Sequence, residues 1–256
     1  MARIISIVNQ KGGVGKTTTA INLAAYLSNF GYKVLLIDID PQGNASSGLG
    51  FDYKNINQGV YEVLVLEPIL FSQVVRNTNL DRLHLAPATP DLAGAAVDLV
   101  ESDRREYKLL DNLEEIRDYY DFIIIDSPPS LGLLTINGLV ASDDVLIPVQ
   151  CEYYALEGLG QLLHTINLVK ENLRPQLNIL GSILTMYDSR NKLSEEVFNE
   201  IYRYFPNKIF RSVIPRNVRL AEAPSHGLSI LEFNNSSRGG RAYEKLSREI
   251  LDCYGF

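Results

Sequence analysis

The sequence has few cysteines and histidines, and it has no long apolar run. Cys151 and Cys253 have neither a metal-ligand nor a redox spacing, so we expect two buried, inert thiols in a reducing cytoplasm. The three histidines are scattered, which argues against a metal site built from them. The longest apolar runs have the length of a strand and cannot cross a bilayer. No basic-then-apolar signal peptide precedes the first strand.

The charge is unevenly distributed along the chain. The net charge of −7 argues against a surface that is positive throughout. Residues 1–185 contain 13 lysines and arginines against 22 acidic residues, whereas residues 189–248 contain 11 against 6. This asymmetry favours a surface for a polyanion in the last quarter of the chain.

One stretch, residues 9–18, reads Asn-Gln-Lys-Gly-Gly-Val-Gly-Lys-Thr-Thr and is the most informative part of the sequence. Gly15, Lys16 and Thr17 match the end of the pattern G-x-x-x-x-G-K-[ST]. Lys11 lies in the region where that pattern has its first glycine. Backbone N–H groups around the glycines can surround a phosphate because no side chains intervene. Lys16 then reaches the β and γ phosphates, and the Thr17 hydroxyl can coordinate Mg²⁺. The expected nucleotide contacts are Lys11, Gly12, Gly13, Val14, Gly15, Lys16, Thr17 and Thr18.

Apolar strands alternate with helices along the whole chain. This order predicts an α/β fold, a mostly parallel twisted sheet with helices on both faces, in a single domain over residues 1–256. Ligands of such sheets bind beyond the carboxyl ends of the strands. The predicted strands are 4–8, 33–38, 82–86, 121–126, 144–149, 178–185 and 208–214. The predicted helices are 18–30, 104–120, 155–172, 194–205 and 239–254.

Carboxylates follow two of the predicted strands. Asp38 and Asp40 are two residues apart, so both can point toward the phosphates, one holding Mg²⁺ through water and the other orienting a water for attack. Asp126 ends another strand, as a Walker B aspartate does, and can hold the Mg²⁺ coordination shell. The metal candidates are therefore Thr17, Asp40 and Asp126, and the catalytic candidates are Lys11, Lys16 and Asp40.

Lys11 is the residue whose role the spacing leaves open. Its ammonium can stay solvated, or it can reach a phosphate that is bound to another subunit, since a cation supplied in trans commonly neutralises the charge on a transferred γ-phosphoryl group. No arginine finger or water-positioning glutamine is evident in the phosphate loops, which predicts slow turnover by the chain alone.

Several boxes together resemble a known family. Residues 11–17 are similar to the deviant Walker A box of the ParA/MinD group of P-loop ATPases. The boxes at residues 38–44, 126–132, 148–158 and 214–225 narrow the resemblance to the small chromosomal ParA (Soj-type) partition ATPases, from residue 3 to about residue 250. The resemblance implies a weak ATPase that dimerises face to face around ATP. In the dimer that the resemblance implies, Lys11 reaches the partner's nucleotide, Asp40 positions the attacking water, and Thr17 and Asp126 hold Mg²⁺.

The same resemblance implies where the rest of the nucleotide lies and what the dimer binds. The adenine and ribose would lie near Met186, Pro215, Arg216 and Asn217. The ATP dimer would bind double-stranded DNA without sequence preference, in the cytoplasm at the nucleoid. A ParB-like (Spo0J-like) protein would stimulate hydrolysis and release the dimer, which segregates chromosome or plasmid DNA.

Contacts with DNA phosphates require lysines and arginines, each of which releases counterions on binding. Arg241, Lys245 and Arg248 are spaced at i, i+4 and i+7, so they share one face of the closing helix. Arg190 and Arg219 match positions at which the family carries DNA-binding arginines. The DNA-binding candidates are Arg190, Lys192, Arg219, Arg238, Arg241, Lys245 and Arg248.

Related functions remain open from the sequence. A MinD-like membrane-associated regulator of division needs a basic amphipathic tail, but residues 247–256 contain two acids and one base. A positioning ATPase for another cargo would use the same motifs. An iron protein of the nitrogenase type is excluded because neither cysteine is placed to hold a cluster between subunits.

Overall fold

The structure is a computed structural model that describes residues 1–66, 69–151, 158–188, 201–205 and 208–256. Its strands are β1 Arg3–Ile7, β2 Val34–Asp38, β3 Arg76–Asn77, β4 Leu83–Ala86, β5 Phe122–Asp126, β6 Asp144–Gln150, β7 Asn178–Tyr187 and β8 Ile209–Pro215. Its α-helices are α1 Lys16–Asn29, α2 Asn44–Gly48, α3 Val60–Val65, α4 Phe71–Val74, α5 Ala95–Asp98, α6 Lys108–Leu113, α7 Leu133–Ala141, α8 Leu159–Asn172, α9 Val218–Glu222, α10 Ile230–Asn234 and α11 Arg238–Tyr254. Short 3₁₀ turns are Tyr53–Asn55, Pro90–Ala93, Arg117–Tyr119 and Ala223–His226. The predicted helix at 194–205 falls mostly outside the described residues.

The described strands form one eight-stranded sheet in the order β3-β4-β2-β5-β1-β6-β7-β8. Neighbouring strands are parallel except for the antiparallel pair of β3 and β4. The predicted mostly parallel sheet is therefore confirmed. Alternate residues enter opposite layers, because successive side chains of a strand point to opposite faces. Ile5 packs on the face covered by α1 and α11, and Ile4 packs on the face covered by α3, α6 and α7.

The prediction of one helix over residues 104–120 was wrong. Arg104 has a left-handed backbone with φ of 53°, so no helix begins there, and only α6 and a 3₁₀ turn form. Arg117 donates hydrogen bonds to the Ala2 carbonyl oxygen and to Asp143, the latter at 2.7 Å. We attribute the break to these long-range contacts, which the apolar stripe of the sequence does not report.

The last helix, α11, runs close to its predicted bounds. The Ser237 side chain accepts a hydrogen bond from the Gly240 N–H at 3.0 Å and caps its start, and Gly255 follows its end with a left-handed φ of 76°. Tyr243 is buried on the inner face of the helix, whereas Cys253 is exposed. The prediction that both cysteines are buried was therefore wrong for Cys253, which lies on the solvent side of its helix.

Gly59 lies so close to the chain after β4 that a Cβ atom there would collide with the Pro87 carbonyl oxygen and lie 2.9 Å from Thr89 Cγ2. The close approach brings the Val60 N–H within 2.9 Å of that carbonyl oxygen, to which it donates. We expect Gly59→Ala to lower the free energy of unfolding by about 1–3 kcal/mol, because a backbone carbonyl cannot swing aside as a flexible side chain can.

Urea unfolding curves of Gly59→Ala and of the wild type measure this loss of unfolding free energy. Gly160→Ala is the matched control, since Gly160 is exposed on α8 and a Cβ atom there meets nothing within 4 Å. The control should unfold as the wild type does, or be more stable by up to about 1 kcal/mol. Equal stability of Gly59→Ala and the wild type would contradict the expected collision with the Pro87 carbonyl oxygen.

Candidate nucleotide site and basic groove

The glycine-rich loop joins the carboxyl end of β1 to the start of α1. Gly13 has φ of 74° and Gly15 has φ of 90°, values that L-residues with a side chain rarely adopt. Gly15 caps α1, and its carbonyl oxygen accepts the Thr19 N–H at 2.9 Å. The loop and the first turn of α1 line one space, and a helix N-terminus favours an anion there.

Two polar side chains that the sequence analysis missed hold this loop in place. The Asn9 amide nitrogen donates to the Pro148 carbonyl oxygen at 2.7 Å, and its oxygen accepts the Lys11 N–H at 2.9 Å. The Thr185 hydroxyl donates to the Val14 carbonyl oxygen at 2.8 Å. The loop is thus fixed from β6 and β7, which lie far away in sequence, and no local pattern could have indicated these partners.

The two lysines of the loop differ in their surroundings. Lys16 is 7% exposed, and its ammonium donates to the Lys11 carbonyl oxygen at 3.1 Å. Burial lowers the pKa of Lys16, while the carboxylates of Asp126 and Asp40 oppose that shift. The Lys11 side chain is partly exposed, and its ammonium contacts no carboxylate within the described residues.

A cavity of about 460 Å³, which we call the P-loop cavity, brings most of the predicted residues together. Predicted residues that line it are Gly12, Gly13, Gly15, Lys16, Thr17, Thr18, Asp40 and Met186. Val14 is buried and does not line the cavity. The remaining lining residues are Ile21, Asn22, Gln42, Asn44, Pro129, Ala223, Pro224 and Leu228.

A second cavity of about 360 Å³, the adjacent cavity, continues from the first. Pro215, Arg216 and Asn217 line it, and it shares Gly15, Thr18 and Met186 with the P-loop cavity. Tyr243 of α11 closes one side and hydrogen-bonds to Thr19 at 3.1 Å between the two hydroxyl oxygens. The residues expected around an adenine and ribose thus lie together, next to the loop expected around the phosphates.

Met186 has a backbone conformation that is uncommon for a residue with a side chain, with φ of 52°. Leu184 of β7 pairs with Val213, and Tyr187 pairs with Pro215, so β7 has one extra residue over this span. Such a bulge re-aims side chains, and here Met186 lines both cavities. A strained residue at the junction of two cavities is typical of a ligand-binding site.

Asp126 lies at the end of β5, completely buried. Neither of its carboxylate oxygens accepts a well-formed hydrogen bond from a described residue, although the Thr17 hydroxyl lies near enough to lower its pKa. Burial raises the pKa of Asp126 well above its usual value, and the neighbouring Asp38 carboxylate raises it further. A buried carboxylate without a partner is unfavourable unless it is neutralised, so this position suits a bound cation.

Asp38 is aligned with Asp126 across β2 and β5, but its carboxylate is fully used inside the protein. It accepts the Asp40 N–H at 3.2 Å, the Ser46 N–H at 2.8 Å and the Ser46 hydroxyl at 2.7 Å. Burial raises the pKa of Asp38 to about 6, and the hydrogen bonds from Ser46 oppose that shift. The expectation that Asp38 and Asp40 both point at the phosphates was therefore wrong, since only Asp40 lines the P-loop cavity.

The basic candidates fall into three groups. Arg190 and Lys192 lie outside the described residues. Arg219 pairs with Glu222 at 2.7 Å, while Arg248 pairs with Glu244 at 3.0 Å and lies 4.6 Å from the centre of the Phe30 ring. The remaining candidates, Arg238, Arg241 and Lys245, line a groove of about 450 Å³ together with Arg211, which the sequence analysis missed.

This basic groove, lined by Arg211, Arg238, Arg241 and Lys245, lies between β8 and α11. The span Ser182–Leu184 of β7 is opposite Ile209–Val213 of β8, so β8 bulges by two residues where Arg211 lies. The Glu249 carboxylate accepts the N–H groups of Arg211 and Ser212 at 2.7 and 2.9 Å and stabilises the bulge. In the part of the chain that the structure describes, no carboxylate pairs with the four side chains of the groove.

A glycine-rich loop between a parallel strand and a helix, with a buried lysine and an aspartate at the next strand end, defines a P-loop nucleotide-binding protein. Residues 2–179 match the family model described as AAA domain. Sporulation initiation inhibitor protein Soj of Bacillus subtilis (strain 168) is 53% identical over 250 residues, which cover 98% of each chain. Chromosome-partitioning ATPase Soj of Treponema pallidum (strain Nichols) is 52% identical over 251 residues, with the same coverage of each chain.

A solved structure of similar fold is cobyrinic acid a,c-diamide synthase from Mycobacterium smegmatis with a bound ATP analog and magnesium. It has a TM-score of 0.88 and 37% identity, and the match covers 100% of this chain and 96% of that one. The chain belongs to the Soj/ParA family of chromosome-partitioning ATPases. The resemblance noted from the sequence boxes is thereby confirmed. No helix within the described residues is both long and apolar enough to span a membrane.

Proposed function

We propose that the chain binds ATP with Mg²⁺, hydrolyses it slowly, and alternates between a DNA-bound ATP dimer and a released form. The observation that carries the nucleotide part is the P-loop cavity, which Lys16, Thr17 and Asp40 line together. The triphosphate occupies this cavity, and the adenine and ribose occupy the adjacent cavity beside Met186, Pro215, Arg216 and Asn217. Lys16 neutralises the β and γ phosphates.

The residues present fit a bound magnesium ion. Within the described residues, no cluster of three or more His, Cys, Asp or Glu side chains could hold a metal by itself. Magnesium is usually held by one or two carboxylates together with waters and substrate phosphates, so a complete protein cage is not required. Asp126, whose carboxylate lacks a well-formed hydrogen bond, and the Thr17 hydroxyl would hold it. When bound, Mg²⁺ neutralises charge on the phosphates, and Asp40 orients the attacking water.

Dimerisation supplies the step that one chain cannot perform. The Lys11 carbonyl oxygen supports Lys16, while the Lys11 ammonium has no carboxylate partner within the described residues. In the dimer this ammonium contacts the nucleotide of the other subunit, and the two sites are related by two-fold symmetry. Because this charge is supplied in trans, we expect turnover to depend on assembly of the dimer.

The basic groove supports binding of double-stranded DNA without sequence preference. Its four cations come from two elements, and they offer guanidinium and ammonium donors to backbone phosphates. A dimer doubles the groove, which offsets the net charge of −7 on each chain. A ParB-like protein stimulates hydrolysis and so releases DNA, and this cycle drives chromosome or plasmid segregation.

DNA retention with ATP and with ADP tests the proposal, together with the ATPase rate with and without DNA and a ParB-like peptide. The wild type should retain duplex DNA only with ATP, and its rate should rise when both DNA and the peptide are present. Equal retention with the two nucleotides would contradict the proposed cycle.

Removing two cations of the basic groove is expected to weaken DNA binding at every sequence. In Arg238→Ala combined with Lys245→Ala, the slope of log affinity against log salt should become shallower by about 2, since each lost phosphate contact removes about one. Fluorescence anisotropy with a duplex at several salt concentrations measures the slope. Lys170→Ala, an exposed cation of α8, is the matched control. An unchanged slope in the double variant would show that the groove does not contact DNA phosphates. The affinity for ATP should be equal in the wild type, the double variant and Lys170→Ala.

A further inference from the structure

Asp38 is a buried acidic group that the proposed mechanism does not use. Its side chain is fully buried, and it does not line the P-loop cavity or the adjacent cavity. Asp40, two residues later, lines the P-loop cavity. A buried carboxylate beside the reacting groups is costly, so its retention needs a reason that lies in its contacts.

The contacts of Asp38 converge on the backbone around Asp40. One carboxylate oxygen of Asp38 accepts the Asp40 N–H at 3.2 Å. Its other oxygen accepts both the N–H and the hydroxyl of Ser46, the third residue of α2. The segment that carries Asp40 is thus tied at its start and, through α2, at its far end to a single side chain.

The same network reaches a third segment. The Ser46 hydroxyl accepts the Ala88 N–H at 3.0 Å, and Ala88 lies in the chain that leaves β4. Ser46 and Ala88 are both fully buried, so water cannot replace these hydrogen bonds. The loop with Asp40 is therefore anchored to β2 by Asp38 and to the β4 exit by Ser46.

Asp40 itself has little other support. One of its carboxylate oxygens accepts the Gln42 N–H at 3.0 Å, and the Asp40 carbonyl oxygen accepts the Gly43 N–H at 2.9 Å. Both partners belong to the same short loop, so they fix its local shape but not its position in the protein. The Ile39 N–H donates to the Asp126 carbonyl oxygen at 3.0 Å, and beyond this backbone bond the position of the loop is held by the Asp38 carboxylate and by α2.

We propose that Asp38 is a positioning residue for hydrolysis, because its carboxylate holds the Asp40 backbone and α2 in register with the P-loop. The proposal rests on the proposed role of Asp40 in hydrolysis. Asp38 lines neither cavity, so in this proposal it acts only through Asp40. A displacement of about 1 Å at a water-orienting group costs on the order of 100-fold in rate, so loss of this anchor should affect the chemical step far more than binding.

The test separates the chemical step from nucleotide binding. In Asp38→Asn, one side-chain acceptor becomes an NH₂ donor that faces donors on Asp40 or Ser46. We expect the single-turnover hydrolysis rate to fall roughly 10- to 100-fold, while the dissociation constant for ATP changes less than about threefold. Amide hydrogen exchange at Asp40, Ser46 and Ala88 should become faster. A merely structural role would weaken ATP binding and lower the hydrolysis rate together.

Two substitutions in α2 form a matched pair that does not depend on the stability of the Asp38 variant. Ser46→Ala removes the hydroxyl that joins Asp38 to Ala88 but keeps the N–H bond, so the hydrolysis rate should fall by about three- to tenfold. Ser47→Ala removes an exposed hydroxyl of the next residue and should hydrolyse ATP as the wild type does. Equal rates in Ser46→Ala and Ser47→Ala would overturn the proposal.

A double-mutant cycle shows whether Asp38 acts through Asp40. In an Asp40→Ala background, adding Asp38→Asn should leave the residual rate unchanged, because the group that Asp38 positions is absent. If Asp38→Asn slows hydrolysis in this background by the same factor as in the wild type, Asp38 acts independently of Asp40. The inference about Asp38 then fails, while the proposed role of Asp40 stands. If Asp40→Ala hydrolyses ATP at the wild-type rate, the proposed role of Asp40 fails first.

Discussion

Replacing Lys11 with alanine is expected to abolish the ATP-dependent dimer while leaving the monomer able to bind ATP. The substitution keeps the Lys11 carbonyl oxygen, which accepts the Lys16 ammonium at 3.1 Å, so the contacts of Lys16 within its own chain persist. It removes the ammonium that we propose contacts the other subunit's nucleotide. Loss of one member of a buried charge pair costs about 2–5 kcal/mol, and the dimer loses two. The dimer dissociation constant should therefore rise roughly a thousand-fold or more.

Light scattering after size-exclusion chromatography in ATP measures the dimer, and fluorescence of a labelled ATP measures nucleotide binding. Lys170→Ala removes the same charge from an exposed position of α8 and should dimerise as the wild type does. A Lys11→Ala protein that still dimerises in ATP would show that the ammonium does not act in trans. A variant that loses ATP affinity as a monomer would instead assign Lys11 to its own nucleotide.

Replacing Asp40 is expected to stop hydrolysis and to leave the ATP dimer intact. Asp40 is 5% exposed, lines the P-loop cavity, and uses one carboxylate oxygen to accept the Gln42 N–H. Its other oxygen accepts no hydrogen bond from a described residue and can orient a water. A group in this role contributes about 10²- to 10⁴-fold to the rate. Asp40→Ala should therefore lower the phosphate-release rate by at least roughly 100-fold.

A second variant separates charge from shape at this position. Asp40→Asn keeps the size of the side chain and an oxygen for the Gln42 N–H, but it lacks the negative charge, so it should also be slow. Both variants should remain dimeric in ATP and should retain DNA longer than the wild type. Asp81→Ala removes an exposed carboxylate before β4 and is the control. Phosphate release at the wild-type rate in Asp40→Asn would remove the carboxylate from the mechanism.

The strands and the phosphate loop could be predicted from the sequence because their signals are local. Residues 122–126 are continuously apolar up to the final aspartate, and such a run is typical of a strand buried on both faces. In the loop, the backbone at Gly13 and Gly15 requires left-handed φ values, and glycine adopts them without steric cost. Strand, loop, lysine, hydroxyl and helix occur in immediate succession, so one short window contains the whole pattern.

The remaining features depend on contacts between distant segments. The bulge that brings Arg211 into the basic groove exists because β8 has two more residues than β7 between their paired positions. Glu249 of α11 accepts the N–H groups of Arg211 and Ser212 in this bulge. The antiparallel pair of β3 with β4 was missed because β3 has two residues, too few for a periodic signal. The break between α6 and the 3₁₀ turn near Arg117 also depends on distant segments, because Arg117 contacts Ala2 and Asp143.

The sequence by itself determined the parallel sheet, the nucleotide loop and the family, since apolar runs, glycines and a lysine act on their immediate neighbourhood. Only the tertiary structure decided which carboxylate has which surroundings. Asp38 and Asp126 occupy equivalent strand ends, yet α2 supplies Ser46 to one and leaves the other without a well-formed hydrogen bond. The environment of a buried charge depends on which donors the fold brings within hydrogen-bonding distance, and residue spacing along the chain does not contain that information.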